Sequence, residues 1–108
     1  MNAAERLWRG IAHGDWAAVR AQFHAAAVVE RFGGGWVGGP DSNVRLSVEE
    51  LVAAHRVEAA RGAPAIEVLR SLSDGTACVI EARVGDARCA GIYDLHEGRI
   101  AGAVEYWA

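Results

Sequence analysis

From residue 65 onward the chain is written in twos. Alternating, β-branched runs at 65–72, 76–84, 87–95 and 99–107 are separated only by the turn signals SDG, GD and HEG. Strands joined by so few residues have no room for a crossover, so each lies antiparallel to the one before it. The second half is therefore committed to a meander, and the first half must supply whatever covers it.

The first half is mostly helical. Asn2 and Glu5 have capping-box spacing before apolar Ala4, Leu7, Trp8 and Ile11, and Gly14 closes that helix. Asp15 caps a second helix carrying Trp16, Val19 and Phe23 on one stripe. Residues 26–32 read as a strand, and the glycine-rich stretch 33–41 as a loop. Ser47 and Glu50 form a second capping box, which predicts a third helix from Val48 to Arg61, stopped by Gly62. Helices first and a meander after is the α+β pattern, in a single domain spanning 1–108.

Loop length sets register, and register sets which side chains share a face. A two-residue Gly85-Asp86 turn pairs Val84 with Ala87, Ile80 with Gly91 and Cys78 with Tyr93. A three-residue His96-Glu97-Gly98 loop pairs Leu95 with Arg99, Tyr93 with Ala101, Gly91 with Ala103 and Cys89 with Glu105. One face then carries Cys78, Ile80, Ala82, Cys89, Gly91, Tyr93, Leu95, Ala101, Ala103, Glu105 and Trp107. Small residues at its middle leave space that helices cannot fill, which predicts a cavity. The opposite face, with Val79, Ile92, Ile100, Val104 and Tyr106 among charges, is apolar enough to suit a dimer contact.

Composition removes several classes of function. All eleven basic residues are Arg, so Schiff-base chemistry and a lysine phosphate loop are excluded. A pI near 5.7 with scattered arginines argues against a nucleic-acid partner. No apolar run reaches the ~20 residues of a membrane span, and the N-terminus lacks the layout of a signal peptide. Cys78 and Cys89 have no second pair with which to build a zinc site; they read as reduced, buried thiols of a cytoplasmic protein. No histidine or acidic cluster has metal-ligand spacing, so neither metal nor cofactor is expected.

The segments GDWAAVRAQFHAAAVVERF and GIYDLHEGRIAGAVEYW resemble the nuclear transport factor 2-like superfamily, and within it the SnoaL-like and ketosteroid isomerase-like small bacterial proteins. The shared habits are helix-Gly-Asp-helix, an aromatic before the first strand, and GRI five residues before YW. The resemblance implies a cone: three helices on a curved antiparallel sheet that encloses an apolar pocket, paired as a homodimer through the outer sheet face. It also implies a cofactor-independent acid–base enzyme of isomerase, cyclase or lyase type, acting on a small apolar carbonyl compound. The alternative is a non-catalytic binding or dimerising module of the same fold. Ketosteroid isomerases use a Tyr, an Asp and a pocket acid where this chain has Leu7, Arg31 and Gly91, so that constellation does not transfer. SnoaL-like cyclases place a carboxylate near the end of the sheet, and Glu105 is the match.

Glu105 is thus the candidate base, with Cys89, Ala103 and Trp107 around it. Desolvation there raises a carboxyl toward a useful pKa, whereas pairing with an arginine lowers it. His55, on the apolar stripe of the third helix, is either a donor to a substrate oxygen or a core histidine. Tyr93 offers a phenol donor or simple packing. Arg31 either binds a substrate, pairs with Glu105 or reaches solvent. Trp16 and Trp36 are candidate pocket aromatics, the latter on a glycine loop that reads as a lid or as plain surface.

Overall fold

The computed structural model describes residues 1–34, 43–62 and 64–108. Helix α1 (Ala3–His13) begins where the Asn2 side chain accepts from the Glu5 backbone N–H and ends on Gly14 at φ 67°. The other half of the expected capping box is redirected: Glu5 accepts from Ser71 Oγ at 2.9 Å, while Asn2 Nδ2 donates to the same hydroxyl at 2.8 Å. The cap therefore also fastens the helix to the sheet. Helix α2 (Trp16–Ala21) starts on Asp15, and α3 (Val48–Ala60) carries a complete Ser47/Glu50 capping box.

The strands are β1 (Phe23–Gly33), β2 (Val44–Ser47), β3 (Ile66–Ser73), β4 (Ala77–Val84), β5 (Ala87–His96) and β6 (Arg99–Trp107). They form one sheet in the order β2-β1-β6-β5-β4-β3. The meander is present as expected, with two additions. Phe23 opens β1 instead of continuing the stripe of α2, and β2 is a short antiparallel partner of β1. β1 also runs parallel to β6. No hairpin links those two strands, so nothing in the chain obliges them to be antiparallel. The helices cover one face of the sheet, and the core between holds Leu7, Trp8, Val19, Leu51, Ile80 and Tyr93 among others.

The β4–β5 register is the predicted one, residue for residue, from Val84 with Ala87 to Cys78 with Tyr93. The β5–β6 register is not. Its turn has two residues, Glu97 and Gly98, at φ 51° and 77°, so both central positions are left-handed, as in a type I′ hairpin. His96 pairs with Arg99 and Leu95 with Ile100. A one-residue shift of this kind reverses which face each side chain takes, and Ile100 is accordingly buried while Ala101 is exposed. A bulge then absorbs Ala101, and beyond it Asp94 pairs with Gly102, Tyr93 with Ala103, Gly91 with Glu105 and Cys89 with Trp107. The two shifts restore parity. Ala103, Glu105 and Trp107 face inward as expected, each opposite a residue two places from the expected one.

Candidate active site

Glu105 and Arg31 are register partners on the parallel strands β6 and β1, so their side chains leave the same face of the sheet. Arg31 Nε donates to Glu105 Oε1 at 2.6 Å, and both side chains are only 1% exposed. The Glu105 carboxylate also accepts from Tyr93 OH at 2.5 Å and from Trp107 Nε1 at 3.1 Å. Tyr93 OH in turn accepts from Trp8 Nε1 at 3.0 Å, which ties α1 into the network. Opposite Glu105 on β5 stands Gly91, and a Cβ there would lie 2.5 Å from Tyr93 OH. The missing side chain is what lets the Tyr93 ring lie back along its own strand and reach the carboxylate. The small middle of the sheet face is therefore filled by this network instead of left as a cavity.

On the far side of Arg31, its NH2 group lies 2.8 Å from His55 Nε2. A guanidinium only donates, so Nε2 accepts and the ring proton resides on Nδ1. Burial, reinforced by the charge of Arg31 and opposed by Glu105, brings His55 down to about 3, which makes it a neutral imidazole near pH 7. Arg31 also lies over the Trp107 ring, 5.1 Å from its centroid. Burial pushes the Glu105 carboxyl up. The Arg31 charge, the Tyr93 and Trp107 hydrogen bonds and His55 outweigh it and hold the group below its ordinary value rather than above it. Glu105 is an ionised counter-charge. Tyr93 is driven the other way, well above the phenol range, by burial and by the adjacent Glu105 charge. Burial likewise pushes the Cys89 thiol up, and both cysteines are free.

A cleft of about 420 Å3 opens between the end of α1, the outer turns of α3, the β4–β5 hairpin and the end of β6. That is within the range of small-molecule sites, about 300–1,000 Å3. Of the predicted site residues, Arg31, His55 and Trp107 line it. Glu105 and Tyr93 belong to the buried network that Arg31 and Trp107 join to the cleft. Cys89 and Ala103 are core residues, and Trp16 packs against the core away from the cleft. Trp36, with most of the glycine loop, lies outside the described residues. The sequence reading missed Glu58 and Asp86, which belong to the lining. Glu58 follows His55 by three residues on a predicted helix, and that spacing was the available signal. Among the described residues no group of three or more His, Cys, Asp or Glu side chains could hold a metal ion, and no helix is long and apolar enough to cross a membrane.

No protein-family model and no curated protein matches the sequence. Solved structures do match. A nuclear transport factor 2-like protein of unknown function from Burkholderia xenovorans superposes with a TM-score of 0.75 at 20% identity, over 98% of this chain and 80% of that one. A SnoaL-like protein of unknown function from Burkholderia thailandensis gives 0.73 at 12% identity, over 97% and 91%. An epoxide hydrolase of the LEH-like type from M. tuberculosis gives 0.63 at 21% identity, over 98% and 80%. At such identities the likeness establishes the fold and leaves the reaction open: the chain has the nuclear transport factor 2-like fold.

Proposed function

We propose that the cleft takes a small, mainly apolar molecule and orients it through one uncharged oxygen, a carbonyl, held against Arg31 and His55. The observation that carries this reading is the state of the floor. Arg31 is already matched by Glu105 at 2.6 Å, and His55 is neutral, so the polar end of an apolar cleft carries no net charge. An uncharged acceptor fits such a floor better than a carboxylate does. The test is thermal unfolding with bicyclic ketones, in the natural chain and in Ala59→Trp, which puts an indole into the cleft from α3. Ligand near 100 times Kd is expected to stabilise the natural chain by about 2.7 kcal/mol and to leave the variant unmoved. Equal shifts in both proteins would remove the reading.

A second reading makes the same site a cofactor-independent acid–base enzyme of isomerase, cyclase or lyase type. A neutral imidazole with a strongly lowered pKa is the sort of donor that polarises a carbonyl without protonating it outright, and His55 has that character. In this reading Glu105 holds Arg31 and thereby His55, and Tyr93 holds Glu105. The proton acceptor then comes from the cleft lining. Solvent deuterium exchange at the α-carbon of a bound ketone separates this reading from simple binding.

We also propose a homodimer through the outer sheet face. Leu72, Val79, Ile92 and Val104 are successive register partners across β3, β4, β5 and β6, and the first three are 64%, 45% and 45% exposed. A continuous apolar row of this kind suits an isologous contact. Sedimentation velocity is expected to show a dimer that Ile92→Arg converts to a folded monomer. A monomeric natural chain would exclude it.

A further inference from the structure

Resting on the reading of the cleft as a small-molecule site, we infer that its occupant is also the missing packing of helix α3. The outer half of that helix, residues 53–60, opens locally while the cleft is empty and is held closed once it is filled. The inference follows from where α3 stops being buried. Its inward stripe runs through Val48, Leu51 and Val52 and continues at helical spacing through His55 and Ala59. The first three are buried in the core, and no residue of the helix after Val52 is. Ala54, His55, Glu58 and Ala59 instead line the cleft, together with Ile66, Val84 and Ala87 from the sheet. The space of about 420 Å3 therefore lies where the second half of the helix would otherwise meet a core.

Little else fastens those turns. His55 is tied to other elements by Arg31 at 2.8 Å and by the Trp8 ring, 6.1 Å away between centroids. Beyond His55, among the described residues, the one ion pair that reaches the helix is Glu58 with Arg61 at 3.8 Å, both at its own end. The local chemistry is also weak. The last turn holds no basic residue, and Glu58 stands at the negative end of the helix dipole. Val57, exposed and β-branched, adds no burial and lowers helix propensity. So short a helix draws its stability from tertiary packing, and a segment with few buried contacts opens at less cost than the whole chain unfolds. Opening residues 53–60 removes one wall of the cleft, so the open form cannot hold an occupant. A molecule that binds only the closed form must then suppress the opening.

The experiment is amide hydrogen exchange followed by NMR, with camphor as the bicyclic ketone. In the empty chain the amides of residues 57–60 are expected to be less protected than those of 52–54. Camphor near 100 times Kd is expected to slow exchange at 57–60 by up to about 100-fold. Ala59→Trp fills the cleft from the helix itself and is expected to slow the same amides without ligand, on the order of tenfold. Ala60→Trp, on the exposed side of the same turn, is expected not to slow them. Tryptophan is a poorer helix former than alanine, so slowing at 59 alone reports filling and not propensity. Equal protection along the empty helix, a camphor-induced rise in Tm without slowing at 57–60, or equal effects of the two tryptophans would each overturn the coupling. Without any rise in Tm the small-molecule reading fails, and Ala59→Trp alone then upholds or overturns the packing of α3.

Discussion

Arg31→Leu is expected to destabilise the chain by about 3–5 kcal/mol, because it leaves an ionised carboxylate fully buried without its partner. For a domain of this size that is a fall in Tm of roughly 15 °C or more. The loss is not the worth of the ion pair. Desolvating both charges offsets much of their attraction at 2.6 Å, and the penalty appears when only one charge is removed. Arg31→Leu/Glu105→Leu is therefore expected to recover at least half of what the single substitution loses. Urea unfolding of the three proteins checks this. A single variant within about 1 kcal/mol of the natural chain would mean that Glu105 takes a proton or solvent at little cost, and the buried pair would lose its structural meaning.

Acid sensitivity is the second large effect, and its sign follows from His55. The ring is held down to about 3 in the folded chain, against about 6.5 when unfolded. Between those values the unfolded chain binds the extra proton, so stability falls as pH falls. The slope approaches about 1.4 kcal/mol per pH unit, an upper bound for a ring that is half-buried. Glu105 also has a lowered folded pKa, so its contribution is present above the unfolded carboxyl value and is lost as pH drops through the folded one. The two windows separate. From pH 6.5 to 4.5 the loss comes from His55 and amounts to about 2–3 kcal/mol; below that Glu105 adds to it. Chemical unfolding across this range, repeated with His55→Gln, is expected to show the upper window flatten and the lower one persist. An unchanged slope in the variant would place the His55 titration elsewhere.

The elements were legible in the residues because each carries local chemistry: Asn2, Asp15 and Ser47 start helices, Gly14 and Gly62 end them, and the GD turn sets β4 against β5. The last hairpin was legible only in its outcome. His96-Glu97-Gly98 reads naturally as three loop residues, because glutamate rarely accepts the left-handed conformation that Glu97 adopts at φ 51°. The bulge at Ala101 leaves no mark in an alternating apolar run. Both departures are non-local choices, made by packing Ile100 inward and by bringing β6 alongside β1. The site was legible as a set of residues more than as a device. Arg31, His55, Tyr93, Glu105 and Trp107 do converge, and the pairing of Arg31 with Glu105 was one of the open alternatives. The depth at which each sits depends on Gly91 and on the parallel β1–β6 pair, and neither appears in a periodicity.

Gly91 and Tyr93 have a consequence for how such a chain can change over generations. Because a Cβ at 91 would stand 2.5 Å from the Tyr93 hydroxyl, the two positions cannot be altered independently. An acid introduced at 91 displaces the phenol that steadies Glu105. A smaller residue at 93 opens the space but leaves Glu105 short of a donor. The path from glycine to a carboxylate at 91 thus passes through single substitutions that are each expected to lower stability. The crossing has to be made by both positions together, or behind stability gained elsewhere in the chain.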